Sequence, residues 1–168
     1  MGMAAKILRE VVIWVFWIGA GVFASVVLNG HVLLNAQVVT ASMEDTIMTR
    51  DRVFGLRIFN EIARGDIVVF YSPIPEQFCD PFIKRVVGMP GEVIEIAGGV
   101  LYIDGAPQIE AHTDTAGRDF AATIVPDNHF FVMGDNRDFS RDSREWGAVP
   151  ADSIIGKVVH VLGLPLLN

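Results

Sequence analysis

With 168 residues, 20 acidic and 13 basic side chains and a formal charge of −7, the chain has room for one compact domain plus a short appendage. It lacks the basic patch that a nucleic-acid partner requires. Its apolar fraction of 51% is high for a soluble domain, and much of the excess lies before residue 40, which points to a membrane segment rather than an outsized core.

The first ten residues carry Lys6, Arg9 and Glu10. From Val11 no charged side chain occurs until Glu44, and Val11 to Leu28 is apolar or small throughout, with Trp14, Phe16, Trp17 and Phe23. Roughly 20 helical residues at ~1.5 Å each cross a hydrocarbon core, so residues 11–34 are expected to form one transmembrane helix. The alternative is a cleavable signal peptide, whose apolar region runs only about 7–15 residues and ends in a small-x-small cleavage site. This run is longer, and Asn29-Gly30-His31-Val32 follows it. Lys6 and Arg9 then hold residues 1–10 in the cytoplasm, which leaves residues 35–168 as an acidic domain on the far side.

After Leu34 the pattern changes period. Arg52–Leu56, Ile67–Tyr71, Phe82–Val87, Val93–Ile96, Val100–Ile103, His129–Met133 and Ile154–Val161 are short runs rich in Val, Ile and Phe. Arg64-Gly65-Asp66, Pro73 to Pro75, Pro90-Gly91, Gly98-Gly99 and Asp104-Gly105 separate them, which is strand-and-turn grammar. Gly98-Gly99 predicts a tight hairpin, because both residues can take positive φ. Ala111 to Pro126 is polar and irregular and reads as a surface loop. No amphipathic helix of normal length follows residue 40. The fold class is mainly antiparallel β, as a barrel or packed sheets, behind one N-terminal membrane helix. Cys79 has no second cysteine to pair with, and no Cys or His pair has zinc-ligand spacing. A lone cysteine of this kind is ordinarily a packed thiol.

Three stretches can carry chemistry: Val38 to Met48 around Ser42, Phe82 to Glu92 around Lys84, and Gly134 to Arg144 around Ser140 and Ser143. A serine–histidine pair needs a histidine in a distinctive setting, and His31, His112, His129 and His160 have none. A serine–lysine pair is the other option. Of the lysines, Lys6 belongs to the N-terminal segment, whereas Lys84 shares a strand face with Phe82 and Val86 by period-two alternation. Such a lysine is either a snorkelling edge residue or a base whose pKa has fallen from ~10.4 toward ~7–8. That fall is worth about 4 kcal/mol, which only desolvation or a nearby cation supplies. Ser42 alone is equally open, since a serine near a strand end is often a turn residue. The alternating charges of Asp135, Arg137, Asp138, Arg141, Asp142 and Arg144 describe either a solvated loop or a brace for a buried amine.

Together these stretches resemble type I signal peptidases over almost the whole chain. Ser42-Met43, Gly65-Asp66, Lys84 to Glu92 and Gly134-Asp135-Asn136-Arg137 with Ser140 and Asp142-Ser143-Arg144 occur in the family's order. Lysine at 84 and a single span resemble the shorter bacterial forms. The resemblance implies Ser42 as nucleophile, Lys84 as general base, and the Ser42 N–H with the Thr40 hydroxyl as oxyanion donors. It implies that Ser140 hydrogen-bonds the lysine amine and that Asp142 and Arg144 form a bracing ion pair, with Asp135 and Arg137 structural. It further implies a membrane-bound serine endopeptidase of the bacterial cytoplasmic membrane that acts on exported preproteins after small residues at −1 and −3, with no metal or cofactor. Met43, Ile47 and Met48 either contact membrane lipid or pack in the core. One departure stands out: the family's Ser-Met-x-Pro-Thr-Leu has Asp45 where proline is usual. Two other functions stay open, a self-cleaving or specialised processing protease and a non-catalytic, membrane-tethered peptide-binding β domain.

Overall fold

A computed structural model describes residues 2–71 and 81–163 of the chain. Cys79 and the Pro73 to Pro75 turn lie outside the described residues. The chain divides into two compact units, Met1–Leu33 and Leu34–Asn168.

The first unit is a single helix, α1 (Met3–Val27), followed by one wider π-helical turn at Leu28–Val32. The helix thus includes part of the charged N-terminal stretch and ends before residue 34. α1 contains no proline, and its run of Val, Ile, Ala and aromatic residues suits a helix that pairs its own backbone groups in apolar surroundings. Lys6 to Val32 is long and apolar enough to cross a membrane. Trp14, Phe16, Trp17 and Phe23 are exposed along it.

In the second unit every strand-like run of the sequence is a strand. In chain order they are β1 (Leu33–Gln37), β2 (Arg52–Leu56), β3 (Ile67–Phe70), β4 (Phe82–Gly88), β5 (Val93–Ala97), β6 (Val100–Ile103), β7 (Ala106–Pro107), β8 (Phe120–Ile124), β9 (His129–Met133), β10 (Val149–Pro150) and β11 (Ile154–Leu162). One four-residue helix, α2 (Ser143–Trp146), precedes β10. A seven-stranded sheet has the order β1-β2-β11-β3-β4-β9-β10, and a four-stranded sheet the order β7-β6-β5-β8. Ala97 pairs with Val100 across Gly98 and Gly99, whose φ values of 56° and 78° are those of the expected hairpin.

The expectation of a loop from Ala111 to Pro126 needs correcting. Phe120–Ile124 is a strand, paired with β5, and Ala116 is buried in the core. Phe-Ala-Ala-Thr-Ile shows no clean alternation because β8 is an edge strand and almost wholly exposed. Nothing in its environment demanded a buried face.

Register irregularities in β4, β5 and β11 bend the sheets, and two glycines allow the close approaches that result. A Cβ on Gly55 would sit 2.5 Å from the Lys157 carbonyl oxygen, and one on Gly88 would sit 2.9 Å from the Phe131 Cβ. Three apolar clusters fill the interior. Val87, Ile94, Ile96, Leu101, Phe131 and Met133 join the two sheets. Val68, Phe70, Val86, Val132 and Val149 lie along the centre of the larger one. Leu34, Val38, Met43, Ile47, Val53 and Val69 pack at its β1–β2 end. Met43 and Ile47 are therefore core residues, whereas Met48 is exposed.

Gly55→Ala tests this architecture. Its Cβ meets rigid backbone, so the second unit should lose about 1–3 kcal/mol, read as a lowered denaturant midpoint at unchanged slope.

Candidate active site

The stretch around Ser42 is a loop closed at its neck. The Val38 N–H donates to the Asp51 carbonyl at 2.9 Å and the Arg50 N–H to the Val38 carbonyl at 2.9 Å. Met43 and Ile47 are inserted into the core below, at 1% and 0% exposure. They draw the turn inward, so Ser42, on a 3₁₀ turn at Ala41–Met43, is itself buried. From β4 the Lys84 side chain enters the same space, flanked by Phe82 and Val86 of the central cluster. Lys84 Nζ donates to Ser42 Oγ and lies 5.8 Å from the centre of the Phe82 ring.

Lys84 is 2% exposed. Burial lowers its pKa from 10.5 to about 8; Asp142 and Asp135 oppose the fall and Arg144 adds to it. Loss of hydration thus outweighs the nearby charges, as expected for an amine on an apolar strand face. Thr40 Oγ1 lies 3.3 Å from Ser42 Oγ. The sequence placed Ser42 and Lys84 42 residues apart, and the fold brings them into contact.

The Gly134–Arg144 stretch closes over this pair. Arg144 grips Asp142 through two contacts of 2.8 Å, and Asp142 also accepts from the N–H of Gly134 at 3.1 Å and that of Arg144 at 3.2 Å, capping α2. Burial alone would raise the Asp142 carboxyl, but Arg144 and the Gly134 N–H hold it below the usual range. Ser140 packs against Gly134, where an added Cβ would strike both Ser140 Oγ and the Ser42 carbonyl. The Ser140 hydroxyl is buried and makes no hydrogen bond of ordinary geometry with the Lys84 amine or any other group.

Two further forked ion pairs flank the stretch. Arg85 holds Asp135 at 2.9 and 2.6 Å, and Arg137 holds Glu110 at 2.6 and 2.7 Å. His112 lies beside both carboxylates, 3.5 Å from Glu110 and 3.7 Å from Asp135. Burial and then the Arg85 charge lower its pKa. Among the described residues no histidine hydrogen-bonds a serine hydroxyl; His129 Nδ1, for example, is 2.8 Å from the Asp127 carbonyl and His160 lies against Phe54.

Sequence reasoning missed Glu110, in a stretch without pattern, and Asn136. Asn136 donates from Nδ2 to the Ala41 carbonyl at 3.1 Å and from its backbone N–H to the Ser42 carbonyl at 3.2 Å. The alternating charges of the loop signalled that partners existed but not where.

Asp45 departs from a proline-like geometry altogether. Glu44 has φ −55° and ψ 151°, Asp45 has φ 82°, and the Thr46 N–H donates to the Met43 carbonyl at 3.1 Å. This is a type II turn, with aspartate in the left-handed position. Proline, locked near φ −65°, cannot occupy it.

The side chains around Ser42 suit acyl transfer: a hydroxyl in contact with a desolvated amine, a second hydroxyl alongside, and an apolar cleft of about 200 Å³ lined by Val38, Val39, Thr40, Met43, Phe82 and Ile83 among others. Among the described residues no group of His, Cys, Asp and Glu is arranged to hold a metal.

Known proteins of one family match the chain. A family model described as signal peptidase, peptidase S26, matches residues 9–162. A signal peptidase I of Leptolyngbya laminosa is 35% identical over 151 residues, covering 84% of this chain and 74% of that protein. A probable signal peptidase I-1 of Synechocystis sp. is 40% identical over 124 residues, covering 68% of this chain and 63% of that protein. The crystal structure of a signal peptidase I from Enterococcus faecalis V583 superposes with a TM-score of 0.52 at 30% identity, covering 61% of this chain and all of that one.

Two stability measurements follow from the geometry. Between pH ~8 and ~10.5 the unfolded chain holds the Lys84 proton that the native state has released, so Lys84 makes stability rise with pH there and carries its full cost below pH ~8. Lys84→Met should therefore stabilise the protein at pH 7 by on the order of 3 kcal/mol, with the gain shrinking toward pH 10.5; thermal melts across that range read it. Asp45→Gly should hold or raise the melting temperature. Asp45→Pro, which restores the family pattern, should cost more than about 1 kcal/mol.

Proposed function

Because the chain belongs to the signal peptidase family, peptidase S26, and is a peptidase, we propose that it removes signal peptides from exported preproteins with Ser42 as nucleophile and Lys84 as general base. The observation that carries the reading is the buried hydrogen bond from Lys84 Nζ to Ser42 Oγ, with a lysine pKa lowered to about 8. A lysine with that pKa is neutral often enough near physiological pH to accept a proton.

On this reading the steps run in a fixed order. Neutral Lys84 takes the Ser42 Oγ proton as Oγ attacks the carbonyl carbon of the scissile bond. The oxyanion that forms accepts from the Ser42 N–H and from the Thr40 hydroxyl, which already lies beside Oγ. The Lys84 ammonium then protonates the departing amine, which is the new N-terminus of the mature protein, and leaves the signal peptide as an ester on Ser42. Water enters, Lys84 takes its proton, and the ester breaks to a free carboxylate and the Ser42 hydroxyl. Asp142 and Arg144 brace the wall over the amine. Ser140 packs against Gly134 on the Ser42 side of that wall. The cleft lined by Val38, Val39, Thr40, Met43, Phe82 and Ile83 is mainly apolar, which suits an extended segment with small side chains at −1 and −3.

The same reading places the enzyme in the bacterial cytoplasmic membrane. Residues 1–10, with Lys6 and Arg9, stay inside, the apolar segment 11–34 spans, and residues 35–168 act outside, next to the lipid surface where the end of a substrate's apolar segment emerges. The exposed tryptophan and phenylalanine side chains of α1 give lipid the surface it needs.

The test is incubation of the detergent-solubilised protein with a preprotein, followed by sequencing of the new N-terminus. Cleavage after a small residue is expected, with a loss of roughly 10³-fold or more in Ser42→Ala and Lys84→Ala. Activity should rise with pH through about 8, where Lys84 loses its proton. Retained cleavage in either variant, or a rate flat down to about pH 5, contradicts the dyad.

A further inference from the structure

We propose that Asn136 is a positioning residue of the oxyanion hole, one that aims the Ser42 N–H by holding the opposite end of the same peptide group. This rests on the reading of Ser42 as nucleophile and oxyanion donor.

The carbonyl of Ala41 and the N–H of Ser42 belong to one planar trans peptide, so they point in opposite directions and turn together. Two donors fix the Ala41 oxygen: Asn136 Nδ2 at 3.1 Å and, from within the turn, the Glu44 N–H at 3.1 Å. The next peptide is fixed as well, since the backbone N–H of Asn136 donates to the Ser42 oxygen at 3.2 Å. Asn136 therefore holds the peptide on each side of the nucleophile, once with its side chain and once with its backbone.

Asn136 is in turn flanked by two clamped residues. Asp135 before it is clamped by Arg85, and Arg137 after it by Glu110, each through two short contacts. Arg137 Nε also donates to the Gly134 carbonyl at 2.9 Å, which closes the loop on itself. Gly134 has no side chain, and that absence lets the loop approach the Ser42 carbonyl at all. The ion pairs thus convey rigidity to the oxyanion donor through one amide. A donor tilted away from the oxyanion loses most of its effect, because hydrogen bonds weaken steeply off axis and the stabilisation depends on preorganisation.

Asn136→Asp separates this role from packing. The carboxylate has the shape of the amide but cannot donate, so a space-filling role tolerates the change and a donating role does not. With the full-length protein and a preprotein, kcat should fall about 10–100-fold while KM changes less than about threefold. The pH midpoint governed by Lys84 should stay where it is in the neutral variant Asn136→Ala and move upward in Asn136→Asp, whose added carboxylate acts on the amine as Asp135 and Asp142 do, so kcat is compared on the alkaline plateau. A peptide aldehyde, which forms a tetrahedral adduct with the serine, should lose affinity in parallel with kcat, whereas the corresponding peptide alcohol should not. Asn136→Ala should behave alike, and it reads the same quantities if the aspartate variant is unstable in a thermal melt. An unchanged kcat and aldehyde affinity in a folded variant, or a loss confined to KM, overturns the inference. Ser42→Ala run alongside distinguishes the two levels: if it still cleaves, the dyad reading itself has failed; if it is inactive while Asn136→Asp is unimpaired, only the role of Asn136 has.

Discussion

A lysine amine buried beside an aromatic ring and a serine hydroxyl cannot hold its proton as an amine in water does. Everything around Lys84 follows from that constraint. Its strand must be central, because an edge position would let the side chain snorkel to solvent. β4 is central, between β3 and β9. Its neighbours on that face must be apolar, as Phe82 and Val86 are. The serine must come to the amine, so its loop is anchored by Met43 and Ile47 in the core. The cost of burying the amine falls on stability, and the apolar clusters on either side of the larger sheet offset it.

The carboxylates nearby set a second constraint. Asp142 and Asp135 each pull the Lys84 pKa back up, so acidic groups this close would restore the proton if they were not themselves engaged. Each is bound in a fork by an arginine, Asp142 by Arg144 and Asp135 by Arg85. Arg144 offsets part of the pull, and both pairs stiffen the loop that covers the site. One set of ion pairs therefore serves both the electrostatics of the amine and the geometry of the turn around Ser42. Breaking a single buried partner leaves an uncompensated charge beside the base, which is costlier than the pair is stabilising.

The parts of this arrangement that were legible in the sequence are those that local chemistry dictates. Strands with a buried face announced themselves through Val, Ile and Phe, and the hairpin through Gly98-Gly99. Lys84 was conspicuous because a lysine between Phe82 and Val86 conflicts with its own strand pattern. β1, β7, β8 and β10 were not legible: β1 continues the apolar run of the expected helix, β7 and β10 are only two residues long and β8 is an exposed edge, so nothing selects a pattern there. Glu110 could not be found, since its meaning lies in Arg137, 27 residues on. Asn136 was hidden inside a motif whose charges drew attention away from its one neutral amide. Asp45 was recognised as unusual, but the sequence suggested a weaker version of a proline turn. The fold uses a different turn, with a left-handed residue that aspartate tolerates and proline does not.

The central claim concerns the protonation of one amine, and it can be measured directly. The protein, labelled with ¹⁵N at its lysine side chains and titrated by NMR in detergent, reports the Lys84 amine, assigned by its loss in Lys84→Met. Titration near pH 8 is the predicted result. Titration at the ordinary lysine value of 10.5 would show that burial does not suppress the charge, and that Lys84 is no base for Ser42.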